Sequence, residues 1–240
     1  MRSVLDNGGY VGYFATYGKP PVVTNVAQSG LVLWLDAGQQ NSYSGSGATW
    51  KDISPTNLSA ALTNTTFSST NGGGSFYFNG SASASIPNST ALDSQSITCE
   101  VWGRAGNVQQ IGFWMEKGTV NSQYSLFLYS NTIYWRIWGV ADVTVTASSV
   151  LNNNQWFHVV GTTTSGAQRL YVNSTQRASA AGTSAIPTST AGFSVGNANG
   201  ANPSGYPYTG DIAVVRVYNR ALSAAEVLGN YNDGRARFGL

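Results

Sequence analysis

The chain's ten carboxylates, single histidine and single cysteine are the first residues to test for chemistry. Retaining glycoside hydrolysis needs two carboxyl groups about 5 Å apart, one as nucleophile and one as acid/base. On a strand, that means acids at i and i+2 or i+4, which share a face. No Glu-x-Asp or Glu-x-x-x-Glu spacing occurs. Glu100 and Glu116 could meet only as a cross-strand pair, and solvation at an edge or rim is the preferred reading of both. His158 stands alone as a general base, with no serine or cysteine nucleophile motif beside it. Cys99, between Thr98 and Glu100, reads as a small buried hydrophobe. Calcium takes six to eight oxygens, commonly from clustered acids. Asp36, Asp52, Asp142, Asp211 and Asp233 are scattered, and Asp36 and Asp52 also suit turn stabilisation. No catalytic residue, metal ligand or cofactor is therefore expected, with Ca²⁺ as the alternative.

Aromatic residues carry the stronger signal. In Ile133-Tyr-Trp-Arg-Ile-Trp138, alternation puts Ile133, Trp135 and Ile137 on one face and Tyr134, Arg136 and Trp138 on the other. The first set is core-like. The second joins flat rings to a fork of donors, which suits stacking on a sugar and hydrogen bonding to its hydroxyls. The competing reading packs Tyr134 and Trp138 beneath a loop or against another subunit.

A series of short β-rich runs positions these residues: Leu31 to Leu35, Ser75 to Asn79, Ser96 to Trp102, Ile111 to Glu116, Tyr124 to Tyr129, Ile133 to Trp138, Trp156 to Thr163, Arg169 to Asn173, Phe193 to Val195 and Ile212 to Tyr218. Asn- and Gly-rich segments that tolerate positive φ separate them, as expected of an all-β sandwich or jelly roll. Ser223 and Glu226 have capping-box spacing, which predicts a single helical turn after the last strand. Residues 1–29 read as an extended N-terminal arm. There, Tyr10, Tyr13, Phe14 and Tyr17 interleave with glycines, and Pro20-Pro21 stiffens the exit. Such apolar surface calls for cover, and anchoring to a neighbouring subunit is the preferred reading.

Charged residues make up 9% of the chain, against roughly 25% in ordinary soluble domains, and the net charge is +2. Without a basic block, phosphate neutralisation has little to work with, so no nucleic-acid partner is expected. No apolar run is long enough to span a membrane and the N-terminus lacks the apolar core of a secretion signal, so no membrane partner is expected either. One cysteine excludes an intrachain disulfide and fits folding in a reducing compartment.

From about Gly30 to Asn232, motif order resembles the laminin-G-like, concanavalin A-like lectin/glucanase jelly rolls. Leu31-Val-Leu-Trp-Leu-Asp36 looks like the opening strand and Trp50-Lys-Asp-Ile-Ser54 like the Trp-x-Asp-x-Ser loop. Phe76-Tyr-Phe-Asn-Gly80, Ser96-Ile-Thr-Cys-Glu-Val-Trp102, and Asn154-Gln-Trp-Phe-His-Val-Val160 with Arg169-Leu-Tyr-Val-Asn173 follow in order. Tyr208 to Tyr231 resembles the closing element. The acidic pair frequent after the last strand's Ile is here Ala213-Val214, which weakens any borrowed cation site. The resemblance implies an antiparallel two-sheet jelly roll over 30–240, with His158 packed rather than catalytic. It also implies a non-enzymatic virion-surface protein, a bacteriophage capsid-decoration or fibre component held as a homo-oligomer among other capsid subunits. The alternative is an extracellular carbohydrate-binding or adhesion module with cell-surface glycans as partners.

Overall fold

Alternating inward and outward side chains, punctuated by residues that accept positive φ such as Asn131, Asn154 and Asn173, generate strand after strand. The computed structural model describes residues 26–119, 122–138, 143–181, 185–198 and 206–240. In chain order the strands begin with β1 (Leu31–Asp36), β2 (Thr49–Trp50), β3 (Ala60–Thr63), β4 (Thr66–Ser68), β5 (Ser75–Asn79), β6 (Ser83–Ile86), β7 (Ile97–Ala105) and β8 (Ile111–Lys117). They continue with β9 (Tyr124–Tyr129), β10 (Thr132–Ile137), β11 (Val143–Ser148), β12 (Trp156–Thr164), β13 (Ala167–Val172), β14 (Thr175–Ala181), β15 (Phe193–Val195) and β16 (Thr209–Tyr218). Helix α1 (Ala224–Phe238) follows.

Two antiparallel sheets result. The first runs β14-β13-β12-β7-β16-β5-β4, with β1 also pairing with β16. The second runs β11-β10-β9-β8-β15-β6-β3-β2. Cys99, Val101, Val159, Val215 and Val217 from the first sheet pack against Trp114, Leu126, Ile133, Trp135 and Val195 from the second. Fully burying each such large side chain stabilises the fold by about 1.5–3 kcal/mol. Trp135 crosses this core, where its indole Nε1 donates to Thr163 Oγ1 at 2.9 Å. The expected all-β jelly-roll sandwich is therefore what the chain forms. The anchors expected in the arm, Tyr10, Tyr13, Phe14 and Tyr17, lie outside the described residues. The last residues expected in the arm do pack on the sandwich: Val26 is buried, and Ala27 N donates to Asn230 Oδ1 at 2.9 Å.

The C-terminal segment differs from expectation. Instead of one helical turn, α1 spans 15 residues. The capping box is present: Ser223 Oγ accepts from Glu226 N, and Glu226 Oε2 accepts from Ser223 N at 2.8 Å. Interior Gly, Asn and Asp residues have low helix propensity, and this is why the sequence reads as a short turn. Tertiary packing prevails. Val227, Asn230, Tyr231, Gly234 and Phe238 follow helical spacing and cover the outer face of the first sheet, over Trp102, Val214 and Tyr218. At the helix end Arg237 donates from Nη1 to Asp36 Oδ1 (2.7 Å) and from Nη2 to Gly74 O (2.9 Å).

Candidate functional site

Beneath α1 lies a buried polar cluster, where two of the residues first tested for catalysis are found. Glu100, on β7, is fully buried; Arg216 Nη1 donates to its Oε1 at 2.6 Å and Asn230 Nδ2 to its Oε2 at 2.5 Å. His158 Nε2 stands 3.1 Å from the same Oε1, and the imidazole stacks on Trp102 with ring centres 4.4 Å apart. Burial alone would raise the Glu100 carboxyl, but the Arg216 charge, followed by His158 and Asn230, outweighs it and holds the group at about 2. Buried ion pairs persist only when further hydrogen bonds complete them, and Asn230 supplies one. The cluster is sealed from solvent and fastens the helix to the sheet.

Solvation of Glu100 and Glu116 at an edge or rim is thus wrong. Both are completely buried. Glu100 is central because β7 lies between β12 and β16. Glu116, on β8, pairs in register with Ser125 and Ser194 on the outer face of the second sheet. The sandwich core separates the two carboxylates, so they do not form a pair. Cys99 is buried in the core, and burial pushes its thiol well up.

Of the acids weighed for calcium, Asp36, Asp52 and Asp211 are occupied by the fold, and Asp142 lies outside the described residues. Asp52 accepts from Trp34 N, Ser54 N and Leu58 N, fixing the Trp50–Ser54 loop as a turn. Asp36 accepts from Gly38 N and Arg237, while Asp211 accepts from Arg104, Asn71 and Ser75. Among the described residues no three His, Cys, Asp or Glu gather as metal ligands. One oxygen-rich cage does occur, filled from within. Lys117 Nζ, fully buried, donates to Asn88 Oδ1 (2.9 Å), Ala191 O (2.9 Å) and Ser189 O (3.2 Å), and lies 3.2 Å from Asp93 Oδ1.

Among the described residues no helix covers the outer face of the second sheet, and strand register builds an aromatic surface on it. Tyr134 on β10 pairs with Phe127 on β9, which pairs with Phe113 on β8. Their rings stack in sequence: Tyr134 on Phe127 at 4.8 Å and 7°, Phe127 on Phe113 at 4.5 Å and 3°. Tyr206 extends the row, 5.3 Å from Phe113. Tyr129 stands beside Tyr134 and is 50% exposed. One position further along, the Arg136 guanidinium lies 3.6 Å from the centre of the Trp138 ring. Trp138 Nε1 donates to Ser125 Oγ at 2.9 Å, fixing the indole from below. A cavity of about 490 Å³ opens above this surface.

Tyr134, Arg136 and Trp138 therefore do share a face and line one cavity, while Ile133, Trp135 and Ile137 are buried on the opposite face. Trp138 is only 9% exposed, so it supports Arg136 more than it offers a free face. The sequence reading missed Phe113, Phe127, Tyr129 and Tyr206. Alternation along Tyr124–Tyr129 could have placed Phe127 and Tyr129 on one face. A register shift between Phe113 and Met115 hides the side taken by Phe113. Among the described residues the lining contains rings, a guanidinium and phenol hydroxyls but no carboxylate, groups suited to stacking and hydrogen bonding.

Residues 78–228 match the family described as the concanavalin A-like lectin/glucanases superfamily. No curated protein sequence matches the chain. Among solved structures, domain 4 of AbnA, a GH43 extracellular arabinanase from Geobacillus stearothermophilus, in complex with arabinotriose, is similar at a TM-score of 0.66 and 16% identity. The match covers 85% of this chain and 100% of that one. The botulinum neurotoxin type G receptor binding domain matches at a TM-score of 0.63 and 17% identity, over 85% of this chain and 51% of that one. The binding domain of botulinum neurotoxin DC in complex with SialylT matches at 0.65 and 16%, with the same coverage. The chain thus spans about half the length of the two toxin domains. At these identities the likeness is one of fold.

Proposed function

The chain belongs to the concanavalin A-like lectin/glucanases superfamily, and on that premise we propose that it is a non-catalytic carbohydrate-binding module whose outer second sheet receives a glycan. The stacked row Tyr206–Phe113–Phe127–Tyr134, with Arg136 held on Trp138 at its end, carries this reading. A saccharide ring laid against Tyr134 and Tyr129 places its C–H face on aromatic carbon, leaving its hydroxyls to the Arg136 donors and the phenols. The binding partners of similar folds, arabinotriose and SialylT, agree with this ligand class. Separation of Glu100 from Glu116 by the core supports a binding rather than a hydrolytic role. The virion-surface role, the first expectation from the sequence, finds no support in the fold or its relatives.

Titration calorimetry with a panel of neutral and sialylated oligosaccharides, arabinotriose among them, tests the proposal. At least one should bind, and Tyr134→Ala should weaken it while the variant stays folded. If no oligosaccharide binds at millimolar concentration, or if Tyr134→Ala and Arg136→Gln leave the affinity unchanged, the reading fails.

A further inference from the structure

The outer face of the first sheet carries a second group of aromatic and polar side chains, beyond the end of the helix that covers the rest. Register aligns Thr66, Tyr77, Asp211, Arg104 and Trp156 in one row across five strands. At its centre Arg104 donates from Nε (3.1 Å) and Nη2 (2.9 Å) to Asp211 Oδ2. The other Asp211 oxygen accepts from Asn71 Nδ2 at 2.9 Å and Ser75 Oγ at 3.3 Å. The Arg104 guanidinium also lies 5.6 Å from the centre of the Trp156 ring. Held on two sides, this fork is already oriented before any ligand arrives.

A pair that served the fold alone would be expected to lie closed. This one borders a cavity of about 320 Å³, with Arg104's side chain 30% exposed and Tyr77 42% exposed at its wall. Arg104 Nη1 has no hydrogen-bond partner among the described residues. The Asn154 side chain joins it on the cavity wall. Because Asp211 and Arg104 neutralise one another, the cavity has little net charge with which to recruit an anion. A flat phenol ring, a fixed guanidinium and a carboxamide around a small neutral cavity suit a hydroxyl-bearing ring.

We infer that this cavity is a second binding site, for a neutral saccharide unit laid on Tyr77 and hydrogen-bonded by Arg104 and Asn154. It takes its ligand class from the function proposed above but shares no residue with the Tyr134 face. The two sites lie on outward surfaces of opposite sheets, so one module can hold two glycan segments at once. Occupying both from one polymer, or from two, raises apparent affinity without new contacts.

The test is chemical-shift mapping of the full chain and of the Tyr134→Ala variant with arabinotriose, xylotriose, cellotriose and maltotriose. The expected result is perturbation of the Tyr77 and Gly106 backbone amides and the Arg104 Nε–H by at least one sugar, in both proteins. Tyr77→Ala should weaken that binding about threefold to tenfold, the usual worth of one ring contact. Ser68→Ala, which removes one lining hydroxyl, checks the same site with a smaller change. Perturbation confined to the Tyr134 face would overturn the second site and leave the proposed function standing. Perturbation confined to the Tyr77 face would support the second site and show that these four sugars do not use the Tyr134 face. Silence around Tyr77 with every sugar at millimolar concentration, or an unchanged affinity in folded Tyr77→Ala, overturns the inference.

Discussion

Replacing Gly234 with alanine should destabilise the protein, although the same change in most helices stabilises. Alanine is favoured over glycine in a helix interior by about 1 kcal/mol. Here an added Cβ would sit 2.6, 2.9 and 3.1 Å from three atoms of the Trp102 indole. Comfortable carbon contacts begin near 3.5 Å, so roughly 1 Å of separation must be found. Trp102 has nowhere to retreat: it is fully buried, with His158 centred 4.4 Å away and Phe238 4.6 Å away. The helix must lift instead, loosening the Asn230–Glu100 hydrogen bond and the burial of Val227 and Phe238. Overpacking of this kind costs typically 1–3 kcal/mol, and the lost contacts add to it, so a net loss of about 1–2 kcal/mol remains after the propensity gain. For a domain of this size that is a fall in Tm of about 2–8 °C, read by calorimetry or circular dichroism. A Tm that rises would refute the packing argument, because it would mean that helix propensity outweighs contact with Trp102.

Acid should unfold the protein through Glu100. Its folded-state value of about 2 lies below the ordinary glutamate value of 4.5, so its stabilisation is complete above pH 4.5 and disappears as pH falls towards 2. Chemical denaturation across that window should show the loss, and Glu100→Gln should flatten the slope while lowering stability at neutral pH; an unchanged slope would argue against the carboxylate's role. Lys117→Met keeps the length of the side chain but removes the counter-charge of Asp93, which retains only its hydrogen bond from Gln123, and takes the donor from Asn88 Oδ1 and two carbonyls; it should cost about 3–5 kcal/mol in denaturant titrations. Trp138→Ala removes the surface under Arg136 and should weaken oligosaccharide binding about twofold to tenfold in calorimetry. Full affinity in a folded Trp138→Ala protein would remove Arg136 positioning from the account.

Local signals and long-range ones were not equally legible. The alternation in Ile133–Trp138 correctly divided core from outer face because one strand carries that information. Ser223 and Glu226 marked the helix start because a capping box spans only four residues. The length of α1 was hidden, since its stability comes from the sheet surface beneath it rather than from its own Gly- and Asn-containing sequence. β14 (Thr-Gln-Arg-Ala-Ser-Ala-Ala) also escaped notice: it is an edge strand, largely exposed, and has no apolar alternation to display. The burial of Glu100 depends on Arg216 and Asn230, which are 116 and 130 residues away in sequence. Likewise, the row from Tyr134 to Phe113 arises from register across three strands. Individual residues suggested an aromatic face; only pairing showed its extent.

Lys117 has a consequence for how the molecule responds to its surroundings. Its ammonium occupies an oxygen cage of the general kind that a cation could fill, but this cation is covalently part of the chain. A bound ion must be captured from solution, and its occupancy varies with supply; the tethered ammonium is present at unit occupancy in every folded molecule. A chelator cannot extract it, and dilution cannot empty the cage. Because Lys117 ends the strand that begins at Ile111 and carries Phe113, the anchorage of the aromatic surface at this corner is insulated from the ionic composition of the medium.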